Sequence, residues 1–183
     1  VRGLIAYVKG HPATDGGRRR PRLVFAHDTR QYSRVFAEFC ARVAVDLGCD
    51  AWLFEGARST PQLSYTVREL RADAGVVITA SHNPSHDNGF KAYFDDGAQI
   101  VEPHATAIIG EVNAIHSERY DPLPEDQRGR LTILGAADDR RYMDRLKTLL
   151  LRPALLEKAP AKVVVTNLHG TGGHVIVPLL REL

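Results

Sequence analysis

The sequence predicts an α/β protein: a three-layer α/β/α domain with a mostly parallel, mixed four-stranded sheet, followed by the first strand of a second, similar domain. Short apolar segments alternate along the chain with segments whose apolar residues recur every three or four positions, which is the pattern of strands alternating with amphipathic helices. The length of 183 residues allows one domain of ordinary size and part of another. Hydrophobic residues at 44% and charged residues at 25% exclude disordered and collagen-like classes.

Each of the four strands has its own signal. The apolar runs at 23–26 and 51–54 predict the first two strands. The run at 75–79 is apolar almost throughout, which is typical of a central parallel strand that is buried on both faces. The fourth strand, at 90–94, alternates apolar and polar residues and is predicted at an edge of the sheet.

Helices are predicted from apolar residues with helical spacing. The helix after the first strand ends at Gly48, and its buried stripe is predicted as Val35, Phe39, Val43 and Leu47. Thr60 as N-cap and Pro61 in the first turn begin the next helix, whose stripe is Leu63, Val67 and Leu70. Pro103 begins a third, with an apolar face of Ile108, Ile109, Val112 and Ile115. Asp138 or Asp139 caps a last helix that carries Tyr142, Leu146, Leu149 and Leu150.

The remaining segments predict the domain organisation. Residues 117–136 are polar and contain prolines, so they are predicted to form a surface segment without regular structure. A domain boundary is predicted near 152–160, giving one domain at 1–156 and the start of a second at 157–183. The apolar run at 162–166 is predicted to be the first strand of that second domain.

Charge and cysteine content narrow the function classes. A formal net charge of +2 predicts neither a nucleic-acid partner nor a membrane partner. No run approaches the length of a membrane span, and no signal peptide opens the chain. Cys40 and Cys49 are too few for a disulfide framework, so two reduced thiols in a cytoplasmic protein are expected.

The richest polar segment directly follows the third strand, at residues 79–91. Open α/β sheets bind their ligands at the carboxyl ends of their strands, so Ser81 is a candidate nucleophile or phosphate carrier, with His82 and Lys91 nearby. Turn-forming pairs at 83–84 and 88–89 lie on either side of this segment. The alternative is a tight surface turn in which the serine only caps backbone groups.

Two further loops are candidates for ligand contact. Arg30 and Ser33 lie near the start of a helix, where an anion is favoured, although Asp28 and Ser33 as simple helix caps are an equal alternative. The glycine-rich turn at 168–173, which includes His169, permits close approach of its backbone to a ligand or another domain.

These motifs together resemble those of a known family. The run at 79–84, followed by Asn88, Gly89 and Lys91, resembles the phosphoserine loop of the α-D-phosphohexomutases. The turns at 28–33, 59–61 and 169–172 are similar to other turns of that family, in the same order. Residues 95–100 with Pro103 look most like the phosphoglucomutase and phosphopentomutase branch, and residues 1–9 resemble the helix before the first strand.

The resemblance implies a phosphotransferase that works through a phosphoserine. Phosphorylated Ser81 would give its phosphoryl group to a hydroxyl of glucose 1-phosphate or glucose 6-phosphate, through a bisphosphorylated intermediate. Lys91 matches the family's general acid/base, and His82 would hydrogen-bond the substrate or phosphate oxygens. Arg30 is expected to support the loop. The resemblance also implies contact with the substrate or its phosphate, or support of the loop, for five further residues: Ser33, Asn83, Asn88, Gly89 and His169.

Cofactors and partners follow from the same resemblance. Mg²⁺ is implied, with the phosphate on Ser81 as one ligand, and glucose 1,6-bisphosphate is implied as priming activator. The family's Asp-Gly-Asp-x-Asp-Arg metal loop does not occur in these residues. The chain is therefore expected to be the first domain, shortened at its start, with the opening of the second. It is expected to be inactive without domains II–IV. Mannose or pentose phosphate as substrate, and a noncatalytic α/β binding module, remain open alternatives.

Overall fold

The central feature of the fold is a single five-stranded sheet. The computed structural model describes residues 1–11, 19–158 and 162–183. The strands are β1 (Arg22–His27), β2 (Asp50–Phe54), β3 (Ala74–Ile78), β4 (Phe90–Phe94) and β5 (Leu131–Leu134). They are ordered β4-β3-β1-β2-β5; β4 runs antiparallel to β3, and the other neighbouring pairs are parallel. The predicted mostly parallel, mixed α/β sheet is confirmed.

Helices cover both faces of this sheet. The helices of the described residues are α1 (Arg2–Gly10), α2 (Ser33–Asp46), α3 (Thr60–Glu69), α4 (His104–Asn113), α5 (Ala136–Lys147), α6 (Pro153–Lys158) and α7 (Ile176–Glu182). Of these, α1 and α2 pack on one face of the sheet and α3 packs on the other. Two 3₁₀ turns lie at Glu125–Gln127 and Gly172–His174. Among the described residues, no helix is long and apolar enough to cross a bilayer.

Alternation along the strands divides the core into two layers. In β1, Leu23 and Phe25 belong to the buried cluster that contains residues of α1 and α2. Val24 and Ala26 belong to the cluster on the opposite face, with residues of α3. Because side chains of a strand alternate between faces, a strand covered on both sides must be apolar throughout. This explains the continuous apolar runs of β1 and β3.

The prediction of four strands was wrong by one. Leu131–Leu134 lies within the segment predicted to be irregular, yet it pairs in parallel with β2 as the second edge strand. Its signal was weak because Leu131 and Ile133 are exposed and the residues before it are polar and rich in proline. An edge strand covered on one face needs only half of its residues to be apolar.

The strand predicted at 162–166 is also absent. Residues 162–167 have no regular structure, and Val163 and Val164 are exposed. A strand needs a hydrogen-bonded neighbour, and within the described part of the chain none pairs with this run. The predicted domain boundary lies partly at 159–161, outside the described residues, and stays a prediction.

The orientation of α2 differs from the prediction. The buried residues of this helix are Ser33, Ala37, Ala41 and Ala44, whereas the predicted Val35 and Phe39 are exposed. Val43 and Leu47 are only partly buried. Alanines leave room for the helix backbone to lie close to the sheet, so the small side chains rather than the large ones face inward.

Details of three other helices also differ. The N-cap of α3 is Ser59 rather than Thr60, and its hydroxyl accepts a hydrogen bond from the Gln62 backbone. In α4 only Ile108 of the predicted face is buried. In α5 the N-cap is Gly135, whose N–H donates to the Asp138 carboxylate at 2.8 Å.

Candidate functional site

A cleft of about 750 Å³ lies at the carboxyl ends of the parallel strands. Its walls come from the loops after β1, β2 and β3, together with residues 169–171. Four of the predicted site residues line it: Arg30, Ser81, Asn83 and His169. Parallel strands place their following loops at one edge of the sheet, so segments far apart in sequence meet there.

Ser81 is presented to solvent by an unusual backbone conformation. Its φ angle is 58°, in the left-handed region, and the residue is exposed. The Ser81 N–H donates to the Thr79 hydroxyl at 3.0 Å. A left-handed residue other than glycine costs about 1–2 kcal/mol, so the rest of the loop must hold this conformation.

Arg30 supplies that support. Its guanidinium donates to the backbone carbonyls of Ser81 and Asn83, each at 2.8 Å, and to those of Pro84 and Asp87 at 2.6 and 3.2 Å. The Asp28 carboxylate forms an ion pair with Arg30 Nε at 3.0 Å, and this contact fixes the orientation of the guanidinium. These contacts join the guanidinium of Arg30 to the backbone of the serine loop.

A second set of contacts joins the serine loop to the start of α2. The Ser33 hydroxyl lies 2.7 Å from Asp28 Oδ1 and 2.9 Å from the side-chain oxygen of Asn88. The amide of Asn88 donates to the Gln31 carbonyl at 2.8 Å. The alternative that Asp28 and Ser33 are simple helix caps is wrong, because the N-cap of α2 is Tyr32 and no side chain caps the helix. Asp28 instead organises Arg30 and Ser33 at once.

Gly89 closes the base of the loop. Its carbonyl accepts from the Thr79 N–H at 2.9 Å, and a Cβ atom at this position would lie 2.6 Å from the Thr79 carbonyl oxygen. The two ends of the loop thus approach more closely than any side chain permits.

The other predicted residues lie at the edge of the cleft or outside it. Lys91 is paired directly opposite Val77, a lining residue, so both side chains are on the same face of the sheet. Within the described residues, the side chains of Lys91 and His82 have no hydrogen-bond or ion-pair partner. His82 is exposed in the loop. The His169 carbonyl accepts a hydrogen bond from the Thr29 hydroxyl, which brings the glycine-rich turn onto the cleft.

Sequence reasoning missed Arg58, a buried cation at the cleft wall. The side chain is 2% exposed and lines the cleft. It forms two hydrogen bonds to Asp139, at 2.7 and 2.8 Å, and Gln62 donates to the same carboxylate at 2.6 Å. The partner lies 81 residues away in the chain, so no local pattern could have identified the pair.

The ion pair determines the protonation of Asp139. Burial raises the pKa of this carboxyl, but the hydrogen bonds from Arg58 and Gln62, with the charge of Arg58, outweigh it and lower the pKa below its usual value. Asp139 therefore carries a negative charge at neutral pH and keeps Arg58 in place at the cleft wall.

Comparisons with known proteins identify relatives of this domain. The family described as phosphoglucomutase/phosphomannomutase, alpha/beta/alpha domain I, matches residues 2–119. The phosphoglucomutase of Staphylococcus epidermidis is 33% identical over 163 residues, covering 89% of this chain and 30% of that protein. The phosphopentomutase of Mus musculus is 33% identical over 178 residues, with 93% and 26% covered. The probable phosphomannomutase of Haemophilus influenzae is 30% identical, with 98% and 35% covered.

Solved structures agree with this assignment. A putative phosphomannomutase from Thermus thermophilus superposes with a TM-score of 0.76 at 27% identity, covering 98% of this chain and 37% of that one. The chain thus spans between 26% and 37% of the length of the relatives named here. On the family match, the identity to its relatives and the shared architecture, the chain belongs to the phosphoglucomutase/phosphomannomutase family and contains its α/β/α domain I.

Proposed function

We propose that this chain is the serine-bearing domain of a phosphohexomutase that interconverts glucose 1-phosphate and glucose 6-phosphate. The observation that carries the proposal is the presentation of Ser81: a left-handed, exposed serine at the cleft, with its loop held by Arg30 through four backbone carbonyls. A residue that hands a group to a substrate must be accessible and rigidly placed.

The proposed reaction is a phosphoryl transfer in two halves. Phosphorylated Ser81 gives its phosphoryl group to a sugar hydroxyl: the bond from phosphorus to the serine oxygen breaks, and a bond to the sugar oxygen forms. Lys91 accepts the hydroxyl proton as general base. Lys91 then donates this proton to the serine oxygen as it leaves, which restores the serine hydroxyl. In the second half, the serine oxygen forms a bond to the other phosphorus of the bisphosphorylated sugar, and the bond from that phosphorus to the sugar oxygen breaks. Lys91 accepts the serine proton and donates it to the released sugar oxygen. His82, exposed in the same loop, would hydrogen-bond the phosphate oxygens.

The choice of sugar rests on the relatives. Those named above are a phosphoglucomutase, a phosphopentomutase and a probable phosphomannomutase. Glucose phosphate is our first candidate, because the residues after β4 resemble the phosphoglucomutase and phosphopentomutase branch; mannose or pentose phosphate is the alternative. Sugar selection would depend on domains other than this one.

Mg²⁺ and glucose 1,6-bisphosphate belong to the same proposal. The oxygens of a phosphate on Ser81 are hard ligands of the kind that Mg²⁺ prefers. No group of three or more metal-binding side chains occurs in the described parts of the chain, so these residues do not form a complete site. The other ligands would come from domains II–IV. The bisphosphate would prime the serine. We place the enzyme in the cytoplasm.

Phosphopeptide mapping of the full-length enzyme tests the carrier. After incubation with glucose 1,6-bisphosphate, phosphate is expected on Ser81, and Ser81→Ala is expected to abolish turnover of glucose 1-phosphate. Ser85→Ala is the matched control, because Ser85 is an exposed serine of the same cleft. An unmodified Ser81 in active enzyme, with Ser81→Ala fully active, would show the mechanism to be wrong.

Two further measurements separate the alternatives. Loss of turnover in full-length Lys91→Ala is expected for a mutase, whereas a noncatalytic binding module would show no turnover to lose. The isolated 183-residue chain is expected to convert no glucose 1-phosphate, since the remaining walls of the site are supplied by domains II–IV.

A further inference from the structure

A second cleft, of about 620 Å³, lies between α3 and α5. None of the residues assigned above to phosphoryl transfer lines it. The two clefts meet along α3, where Thr60 lines the serine cleft and Pro61 lines this one. The volume is in the range that proteins use to bind small organic ligands, roughly 300–1,000 Å³.

Three arginines converge on this cleft without acidic partners. Arg68 lies in the last turn of α3, Arg71 follows that helix, and Arg145 lies in the last turn of α5. Within the described residues none of them has a carboxylate within 4.0 Å. Arg68 donates only to the Ser64 carbonyl, and Arg145 only to the Thr148 hydroxyl. Their remaining N–H groups are free for an anion, and a planar guanidinium matches the oxygens of a phosphate.

Glu69 supplies the one carboxylate among the lining residues. Burial raises the pKa of the Tyr65 hydroxyl, and the neighbouring Glu69 carboxylate raises it further. Three arginines against one glutamate leave the lining of the cleft with an excess of positive charge.

The apolar wall of the cleft consists of aromatic and aliphatic side chains, most of them on the same two helices as the arginines. The rings of Tyr65 and Tyr142 lie 5.3 Å apart between centroids, at 44° to one another. Leu146 and Leu149 continue this wall, and Leu149 is 55% exposed. Such a surface offers aromatic and aliphatic contact to a flat ring.

We propose that this cleft binds a nucleoside polyphosphate. The base would lie against Tyr65 and Leu149, and the phosphates would accept hydrogen bonds from Arg68, Arg71 and Arg145. A ligand with only one of these two parts would use half of the site. The proposal is independent of the phosphoryl transfer assigned to Ser81.

An NMR titration of the 183-residue chain with ATP tests the proposal. At constant ionic strength, ATP is expected to shift the amide signals of residues 68–71 and 145–149, and to bind at least about tenfold more tightly than pyrophosphate or adenosine. Shifts confined to residues 28–31 and 81–88 would place ATP in the serine cleft and overturn the proposal. Equal affinity for pyrophosphate would reduce the site to a general anion site and overturn the assignment of a nucleotide.

Matched variants identify the residues responsible. The double variant Arg68→Ser/Arg145→Ser is expected to weaken ATP binding at least about tenfold. Arg34→Ser/Arg42→Ser removes the same charge from exposed positions of α2 and is expected to leave binding unchanged. A lower melting temperature with unaltered ATP affinity in the first variant would show that these arginines serve only the helix ends, and would overturn the proposal.

A second variant tests the apolar wall without disturbing the fold. Leu149→Ser changes an exposed side chain, and it is expected to weaken ATP binding severalfold while leaving pyrophosphate binding unchanged. An equal effect on both ligands, or on neither, would contradict the proposed place of the base.

Discussion

At the residue scale, the Arg58–Asp139 pair links the cleft wall to a helix that is distant in sequence. Both side chains are buried, and Gln62 shares the same carboxylate. A buried ion pair contributes little compared with apolar packing, because both charges lose their hydration. Removing Asp139 is costly, since the buried charge of Arg58 would keep only its longer ion pair with the exposed Glu55, at 3.5 Å.

Asp139→Asn is therefore expected to destabilise the chain by about 3–5 kcal/mol in urea unfolding at pH 7. The exposed Asp144→Asn on the same helix is the control and is expected to change the stability by less than about 0.5 kcal/mol.

The greater stability of the wild type relative to Asp139→Asn depends on the ionised carboxylate of Asp139. Folding lowers the pKa of the Asp139 carboxyl, so this difference in stability is fully present above the unfolded Asp pKa of about 3.9. The difference declines as the pH falls through the pKa of the folded state. An advantage that does not change below pH 4 would contradict the assignment.

Gly89→Ala tests the close approach at the base of the serine loop. The new Cβ would lie 2.6 Å from the Thr79 carbonyl oxygen, so backbone must shift, and a loss of about 1–3 kcal/mol is expected in thermal unfolding. Gly110→Ala is the matched control: a Cβ there meets nothing within 4 Å, and alanine in a helix is expected to stabilise by about 0.5–1 kcal/mol. Equal melting temperatures for the two variants would contradict the clash.

The site could be predicted only where its residues lie close together in sequence. Asp28, Arg30 and Ser33 form one short motif, and the 79–91 segment forms another. Arg58 stands alone in its loop, and its importance depends on Asp139, which the fold brings to it. A pair of this kind is visible only in three dimensions.

At the element scale, α2 shows how spacing alone can mislead. Both Val35–Phe39 and Ala37–Ala41–Ala44 have helical spacing, and hydrophobicity alone favours the larger residues as the buried ones. The alanines are the residues that face the sheet, since the helix lies close to it. The exposed Tyr32, Phe36 and Phe39 then form an apolar surface on the outer side.

Substitutions on the two faces of α2 are expected to have opposite consequences. Ala41→Leu adds volume at a fully buried position and is expected to cost about 1–3 kcal/mol. Phe39→Ala removes an exposed ring and is expected to change the stability by no more than about 0.5 kcal/mol. Guanidinium unfolding measures the free energy of unfolding of both variants. A larger loss of stability for Phe39→Ala than for Ala41→Leu would contradict this orientation of α2.

Strands were predictable in proportion to their burial. β1 and β3 are covered on both faces, and their continuous apolar runs identified them. β5 is covered on one face and has exposed Leu131 and Ile133, so it resembled a loop. The run at 162–166 has the apolar composition of a strand, but no strand in the described part of the chain pairs with it. Composition alone does not show whether a partner strand is present.

At the scale of the whole molecule, the C-terminal segment packs on α5. Val175 joins Tyr142 and Met143 in a small buried cluster. Glu182 forms ion pairs with Arg140, at 2.7 Å, and with Lys147. The hydrogen bonds from these two cations lower the pKa of Glu182. The packing therefore combines a small apolar contact with exposed ion pairs.

Salt is expected to loosen this segment selectively. Exposed ion pairs are screened strongly at 1 M salt, where the Debye length is about 3 Å, whereas the sheet is held by buried apolar contacts. Amide hydrogen exchange of residues 176–182 is expected to accelerate between 0.05 and 1 M NaCl (roughly the range over which screening develops), with little change in β1 and β3. Glu182→Gln should remove most of this salt dependence. Uniform acceleration across the chain would show that the segment is not a separate unit.

The antiparallel strand β4 has a consequence for the order of folding. Ile78 pairs with Phe90 across a short loop, so the two ends of the serine loop meet through a local contact. Leu53 of β2 pairs with Ile133 of β5, and this contact closes a much longer loop of the chain. Local contacts cost less loop-closure entropy and form sooner. The segment that carries Ser81 can therefore reach its final shape in a growing chain before the last strand of the sheet has been synthesised.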